Sequence, residues 1–143
     1  MAGIKLNKGL QPFDLYFEDI DKHETIYFNP SDSDLVSRLA KSVENIKNLL
    51  IDFKTNPDDD AYKIVEKIDE TEKTICNEID YGFGNKVSDT VFKHCGVMSV
   101  VNGEFYILTF FDAILPEIKK MSGGLQRQAS SNTQKYINKW RKK

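Results

Sequence analysis

The sequence predicts an α+β fold that is mainly α. A small N-terminal antiparallel hairpin or meander packs on a four-helix bundle, and a mobile basic C-terminal tail follows. Three observations carry this. Strict apolar–polar alternation is confined to the first 28 residues. Beyond them apolar residues recur every three or four positions, the spacing of amphipathic helices. All 22 acidic side chains precede position 119, so the chain ends in a purely basic segment.

A chain of 143 residues suits one domain. That domain is read as residues 1–121, β-rich over 3–28 and helical over 31–121, with 122–143 as the tail. In the β-rich part, Ile4 and Leu6, then Phe13, Leu15 and Phe17, alternate with polar residues, with Gly9 and Pro12 between the two runs. Thr25-Ile26-Tyr27-Phe28 is β-branched and aromatic and supplies the next strand. Asn29-Pro30-Ser31 ends the sheet, and Ser31 with Asp34 forms a near capping box.

The first helix is expected near 32–54. Leu35, Leu39, Val43, Ile46, Leu50 and Phe53 fall on one face. Thr55-Asn56-Pro57 stops it. Asp58, Asp59 and Asp60 then stand where a helix N-terminus favours negative charge. A second helix, about 58–80, carries Ala61, Ile64, Val65, Ile68, Ile75 and Ile79 on its inner stripe. Tyr81-Gly82-Phe83-Gly84-Asn85 reads as a turn with inward-packed aromatics. A short third helix, about 85–95, is closed by Gly96 as its C′ residue. Val97, Met98, Val100 and Val101 are expected to be buried, and Asn102-Gly103 to turn. The fourth helix starts near Glu104 and is apolar almost all round through Leu115, with a kink or break at Pro116. Ser122-Gly123-Gly124 reads as a hinge.

Catalytic and metal chemistry find little support. His23, His94, Cys76 and Cys95 lack zinc-ligand spacing. Asp58-Asp59-Asp60 lacks the alternation and glycine of a calcium loop, so helix capping explains it. No G-x-S-x-G is present, and Gly82-Phe83-Gly84 is a G-x-G without the third glycine or a P-loop lysine. No cofactor, no metal and no catalytic residue are therefore expected. The two cysteines read as reduced, partly buried thiols. No apolar run is long enough to span a membrane, and the N-terminus lacks a secretory apolar region.

Charge is the more informative signal. The net charge of -2 hides an asymmetry: residues 119–143 hold eight basic and no acidic side chains, leaving 12 basic against 22 acidic, or -10, on the rest. Such a split suggests an interaction arm. It could meet a protein partner, nucleic acid, or the acidic body of a neighbouring copy. The candidate partner-binding residues are Tyr81 and Phe83 in the turn, and Arg127, Lys135, Tyr136, Lys139, Trp140 and Arg141 in the tail, because aromatic and arginine side chains are frequent interface anchors.

Three segments also resemble a known family. They are Ile26-Tyr27-Phe28-Asn29-Pro30-Ser31-Asp32, the charged helix after it, and Asp80-Tyr81-Gly82-Phe83-Gly84-Asn85-Lys86-Val87 leading to Val91-Phe92. The last continues to Phe105, Phe110, Phe111 and Ala113-Ile114-Leu115-Pro116. Over residues 24–120 the pattern resembles small tail assembly chaperones of phages and prophages of Gram-positive bacteria. The resemblance implies a non-enzymatic protein of the host cytoplasm. It would keep the tape-measure protein soluble while tail-tube subunits polymerise around it. The tail after Gly124 lies outside the matched part. Two other readings stand beside it: a structural virion subunit forming a ring through self-association, and a nucleic-acid-binding regulator using the basic tail, the latter disfavoured by modest basic density.

Overall fold

The computed structural model describes residues 2–141, apart from the side chains of Tyr136, Trp140 and Arg141. Strands β1 (Gln11–Leu15) and β2 (Glu24–Phe28) form an antiparallel hairpin, with Gln11 opposite Phe28 and Leu15 opposite Glu24. Period-two patterning sets its faces: Ile26 and Phe28 are buried and Tyr27 is exposed. Ile4 and Leu6, expected in a strand, lie outside any strand and are 86% and 79% exposed. The alternation there has no partner strand, so the sheet is a hairpin and not a meander. Phe17 lies just past β1 and packs its ring on His94, centroids 4.7 Å apart.

Helix α1 (Leu35–Asp52) buries Leu35, Leu39, Ile46 and Leu50 as its spacing requires. It starts three residues later than expected because Asp32, not Ser31, organises the turn. The Asp32 carboxylate accepts the Asp34 N–H at 3.0 Å and the Arg38 guanidinium at 2.8 Å. Asp34 takes the N-cap position without a side-chain cap.

Helix α2 (Ala61–Phe83) runs antiparallel to α1. Asp60 is its N-cap, its carboxylate accepting the Lys63 N–H at 2.9 Å, as capping by the aspartate run predicts. Ser42 on α1 is fully buried and donates its hydroxyl to the Glu78 carbonyl at 2.8 Å. Opposite it, a Cβ on Gly82 would come within 2.7 Å of the Ser42 hydroxyl and 3.0 Å of Leu39 Cδ2. The two helices approach this closely only because position 82 has no side chain. Tyr81-Gly82-Phe83 is therefore the last turn of α2 and not a loop. Gly84 ends the helix at φ 68°, in the left-handed region that glycine occupies without steric cost.

Helix α3 (Ser88–Val91) is a single turn, much shorter than the expected 85–95, and Gly96 does not cap it. Its first turn is held by Asp80, whose carboxylate accepts the Val87 and Ser88 N–H groups at 2.8 Å each and the Ser88 hydroxyl at 2.9 Å. Strands β3 (Val100–Val101) and β4 (Glu104–Phe105) form a minimal hairpin through Asn102 (φ 54°) and Gly103 (φ 82°). Two successive left-handed residues make the Asn-Gly turn read from the sequence. Val100 and Val101, expected inside, are 59% and 47% exposed.

Helix α4 (Tyr106–Arg141) is 36 residues, or about 54 Å long. Ile107, Phe111, Ile114 and Ile118 are buried, so its first third is the central helix expected. The helix passes Pro116 without a break. Proline leaves the Asp112 carbonyl without its intrahelical N–H partner, and both residues are on the exposed side of the helix. It also passes Ser122-Gly123-Gly124, where a hinge was expected. Aromatic rings join the layers: Phe83 meets Phe28 edge-on at 5.2 Å, Phe110 at 6.1 Å and Phe111 at 6.4 Å.

Candidate interaction surfaces

The described residues contain no cluster of three or more His, Cys, Asp or Glu side chains able to hold a metal ion. Cys76 and Cys95 are unbonded and partly buried. Burial pushes the Cys76 thiol upward, so it stays protonated and poorly nucleophilic at neutral pH. No helix among the described residues is long and apolar enough to cross a membrane.

The predicted contact residues separate into two groups. Phe83 is not a contact residue: it is 1% exposed and joins the hairpin to α4. The inward packing expected of this aromatic holds, because α2 extends to residue 83, and that burial removes it from the contact surface. Tyr81, two positions earlier in the same turn, is 59% exposed. Arg127, Lys135 and Lys139 are exposed along α4. Tyr136, Trp140 and Arg141 belong to the same helix, and their side chains lie outside the described residues. Tyr81 and the basic positions thus belong to two different helices, α2 and α4.

Burial divides α4. Among the described side chains Ile118 is its last fully buried one, positions 121–125 are half-buried, and those from Gln126 onward are exposed. This second half is an arm. Leu125, Gln128, Ala129 and Asn132 face Gly9, Gln11, Asn29 and Ser31 across an open cleft of about 390 Å³. In sequence, Ile118, Ser122, Leu125, Ala129, Asn132, Tyr136 and Trp140 follow one helical stripe, with Lys135 and Lys139 beside it. The arm is therefore amphipathic, its polar flank carrying basic charge.

A second surface lies on the outer side of α2 and was not foreseen. Tyr62 is 86% exposed, and Val65, expected on the inner stripe, is 55% exposed. Asp69, Glu72, Cys76 and Asp80 continue their stripe at steps of three and four. These last four line an open cleft of about 450 Å³ together with Lys73, Asn77, Lys86, Ser88 and Asp89. Asp80 is committed to the start of α3. Glu72 accepts the Met98 N–H at 3.3 Å. The signal in sequence was Tyr62, an aromatic lying off the inner stripe among charged neighbours.

A third depression of about 330 Å³, between Leu15–Phe17 and the Tyr106–Ala113 turns of α4, is apolar. Beside it the two histidines meet carboxylates: His94 Nε2 lies 3.3 Å from Glu24 and His23 Nε2 lies 3.7 Å from Asp14. The Lys93 ammonium at 2.9 Å, opposed by some burial and aided by His94, holds the Glu24 carboxyl below the usual range.

No family model matches the chain, and neither a curated protein nor a solved structure is similar to it.

Proposed function

We propose that this chain is a non-enzymatic phage tail assembly protein, a chaperone that captures the tape-measure protein through the helical arm at the end of α4. The observation that carries the reading is the arm itself, a basic amphipathic helix extending from a well-packed body. A lone exposed helix gains little from propensity, and most helical stability in proteins comes from packing one face against a partner. An extended helical protein with apolar and acidic stripes supplies such a face, by the helix-to-helix recognition used for long amphipathic partners. The resemblance over residues 24–120 supports the assignment to tail assembly.

The test is a pull-down with tagged full-length chain from infected or prophage-induced cells, at low and high salt. The expected result is a long helical protein recovered in fixed stoichiometry, with recovery reduced at least about tenfold when residues 126–143 are deleted. Truncation there removes none of the described buried residues. Undiminished capture by the truncated chain would remove the arm from the mechanism. Recovery of nuclease-sensitive nucleic acid alone would replace the reading with nucleic-acid binding.

A further inference from the structure

We infer that the open edge of β1 takes residues 3–7 of a second copy of this chain as an added strand. The ladder shows which edge is open. In an antiparallel pair, successive residues turn their N–H and C=O groups alternately toward the neighbouring strand and away from it. The Tyr27 carbonyl accepts the Asn85 side-chain amide at 2.8 Å, so Tyr27 turns away from β1. Its partner Pro12 has no N–H to offer β2. Gln11, Phe13 and Leu15 therefore face β2, while Pro12 and Asp14 point to the opposite side. The far edge of β2 is covered by Asn85 and by α3. Among the described residues no strand pairs with the far edge of β1. Beside that edge lies the apolar depression lined by Leu15, Phe17, Tyr106, Phe110 and Ala113. An unpaired edge next to an apolar groove is an acceptor for strand addition.

Residues 3–7 fit as the donor. Ile4 and Leu6 are exposed, have no strand partner and share one side when the segment is extended, with Lys5 on the other. An antiparallel register with Lys5 opposite Asp14 sets Gly3 opposite Tyr16 and Asn7 opposite Pro12. Ile4 then lies against Leu15 at the groove, and Leu6 beside Phe13. Lys5 shares the outer face with the exposed Asp14, an opposite-charge cross-strand pair. Pro12 costs one ladder bond only, since its carbonyl still accepts from Asn7. Charge agrees along the whole contact: residues 2–13 carry Lys5 and Lys8 and no acid, whereas Asp14, Glu18, Asp19 and Asp21 follow, with Lys22 the single base among them. The chain's own segment is held away from this edge. Gln11 pairs with Phe28, and the Lys8 carbonyl accepts the Asn29 side-chain amide at 3.2 Å, so both ends of residues 8–11 are tied on the β2 side. A Cβ on Gly9 would come within 2.9 Å of the same amide, so the backbone lies directly on it. Bringing Asn7 back beside its own Pro12 breaks this anchor, and pairing with a second copy does not. The register reads identically from either copy, so the exchange is reciprocal, two-fold and closed at a dimer.

The inference goes beyond the tail-assembly reading and is tested on the purified chain alone, so either can fail without the other. Sedimentation at about 200 µM chain is expected to give twice the 16.4 kDa monomer mass. Ile4→Asp with Leu6→Asp places charge against the apolar groove and should weaken dimerisation at least about tenfold. Both positions are exposed, so circular dichroism and Tm should match the parent chain. A second variant, Lys5→Cys with Asp14→Cys, sets two cysteines about 5.5 Å apart across the proposed pair, within disulfide reach. Mild oxidation should convert it to a covalent dimer on a non-reducing gel. The parent chain, with Cys76 and Cys95 partly buried, should not cross-link, nor should Lys5→Cys alone, whose two copies lie far apart in this register. A parent chain that sediments as a monomer overturns the inference and leaves the edge to a strand of another protein. A cross-link confined within one chain overturns it too, since the segment then closes on its own copy. Dimerisation untouched by the Ile4 and Leu6 substitutions overturns it equally.

Discussion

Tyr81 and Phe83 stand two positions apart in one helical turn and do opposite work. Two residues on an α-helix differ in direction by about 200°, so when one faces out the other faces in. Phe83 fills the junction of hairpin, α1–α2 pair and α4, touching Phe28, Phe110 and Phe111. Phe83→Ala should cost about 3–5 kcal/mol, the range for a fully buried aromatic. Tyr81→Ala should stay within about 0.5 kcal/mol. Chemical denaturation of the two variants measures both. Equal losses would mean that Tyr81 too packs in the core. The sequence did not separate the pair because Gly82 and Gly84 look like loop residues. One of them is there for close helix approach and the other for a left-handed stop, and neither reason can be read without the partner helix.

At the level of elements, the long apolar periodicities were legible and the punctuation was not. Leu35, Leu39, Ile46 and Leu50 placed α1, and Ile75 and Ile79 placed α2, since burial on one face demands that spacing whatever the neighbours do. Asn102-Gly103 was legible because its backbone geometry is local. Val100 and Val101 were misjudged because a two-residue ladder at the surface exposes apolar side chains that look like core. Of the candidate surfaces, the basic half of α4 showed in composition, while the α2 face needed the fold. Gly123 and Gly124 signal a joint by composition, yet they lie inside α4 with helix on both sides. A Cβ on Gly124 meets nothing within 4 Å, and one on Gly123 touches only Arg127 at 3.9 Å. Replacing both with alanine should stabilise the helix by about 1–2 kcal/mol in total. Hydrogen exchange over residues 119–135 should slow accordingly. Faster or unchanged exchange would show that glycine is no weak point in this helix.

For the molecule as a whole, acid is the condition most damaging to the fold. Three carboxylates are held below their ordinary range: Glu24 chiefly by Lys93, Asp32 chiefly by the Asp34 N–H and then Arg38, and Asp59 chiefly by Lys67 and then the Asn56 N–H. A depressed group takes up its proton more readily when unfolded. Its stabilisation is therefore complete above the unfolded value of about 4 and is lost as pH falls through the lower folded value. Tm should stay level from neutral pH down to about 5 and decline below about 4. Asp32→Asn should flatten that decline. A decline equal to the parent's would show that Asp32 has no part in it. On the alkaline side the burial of Cys76 and Tyr106 acts in the other direction, since both are pushed upward and unfolding lets them ionise.

The unbroken course of α4 makes the protein a lever. The rod that carries Lys135 and Lys139 also carries Ile107, Phe111 and Ile114, and no loop lies between them to absorb a bend. At its near end the Tyr106 hydroxyl is fixed to the Val91 carbonyl at 2.7 Å. That bond and the packed core act as the fulcrum. A sideways load at the far tip is delivered as torque on the aromatic junction around Phe83. Whatever seizes the arm therefore also pries at the core, and the firmness of its grip is bounded by the strength of that junction.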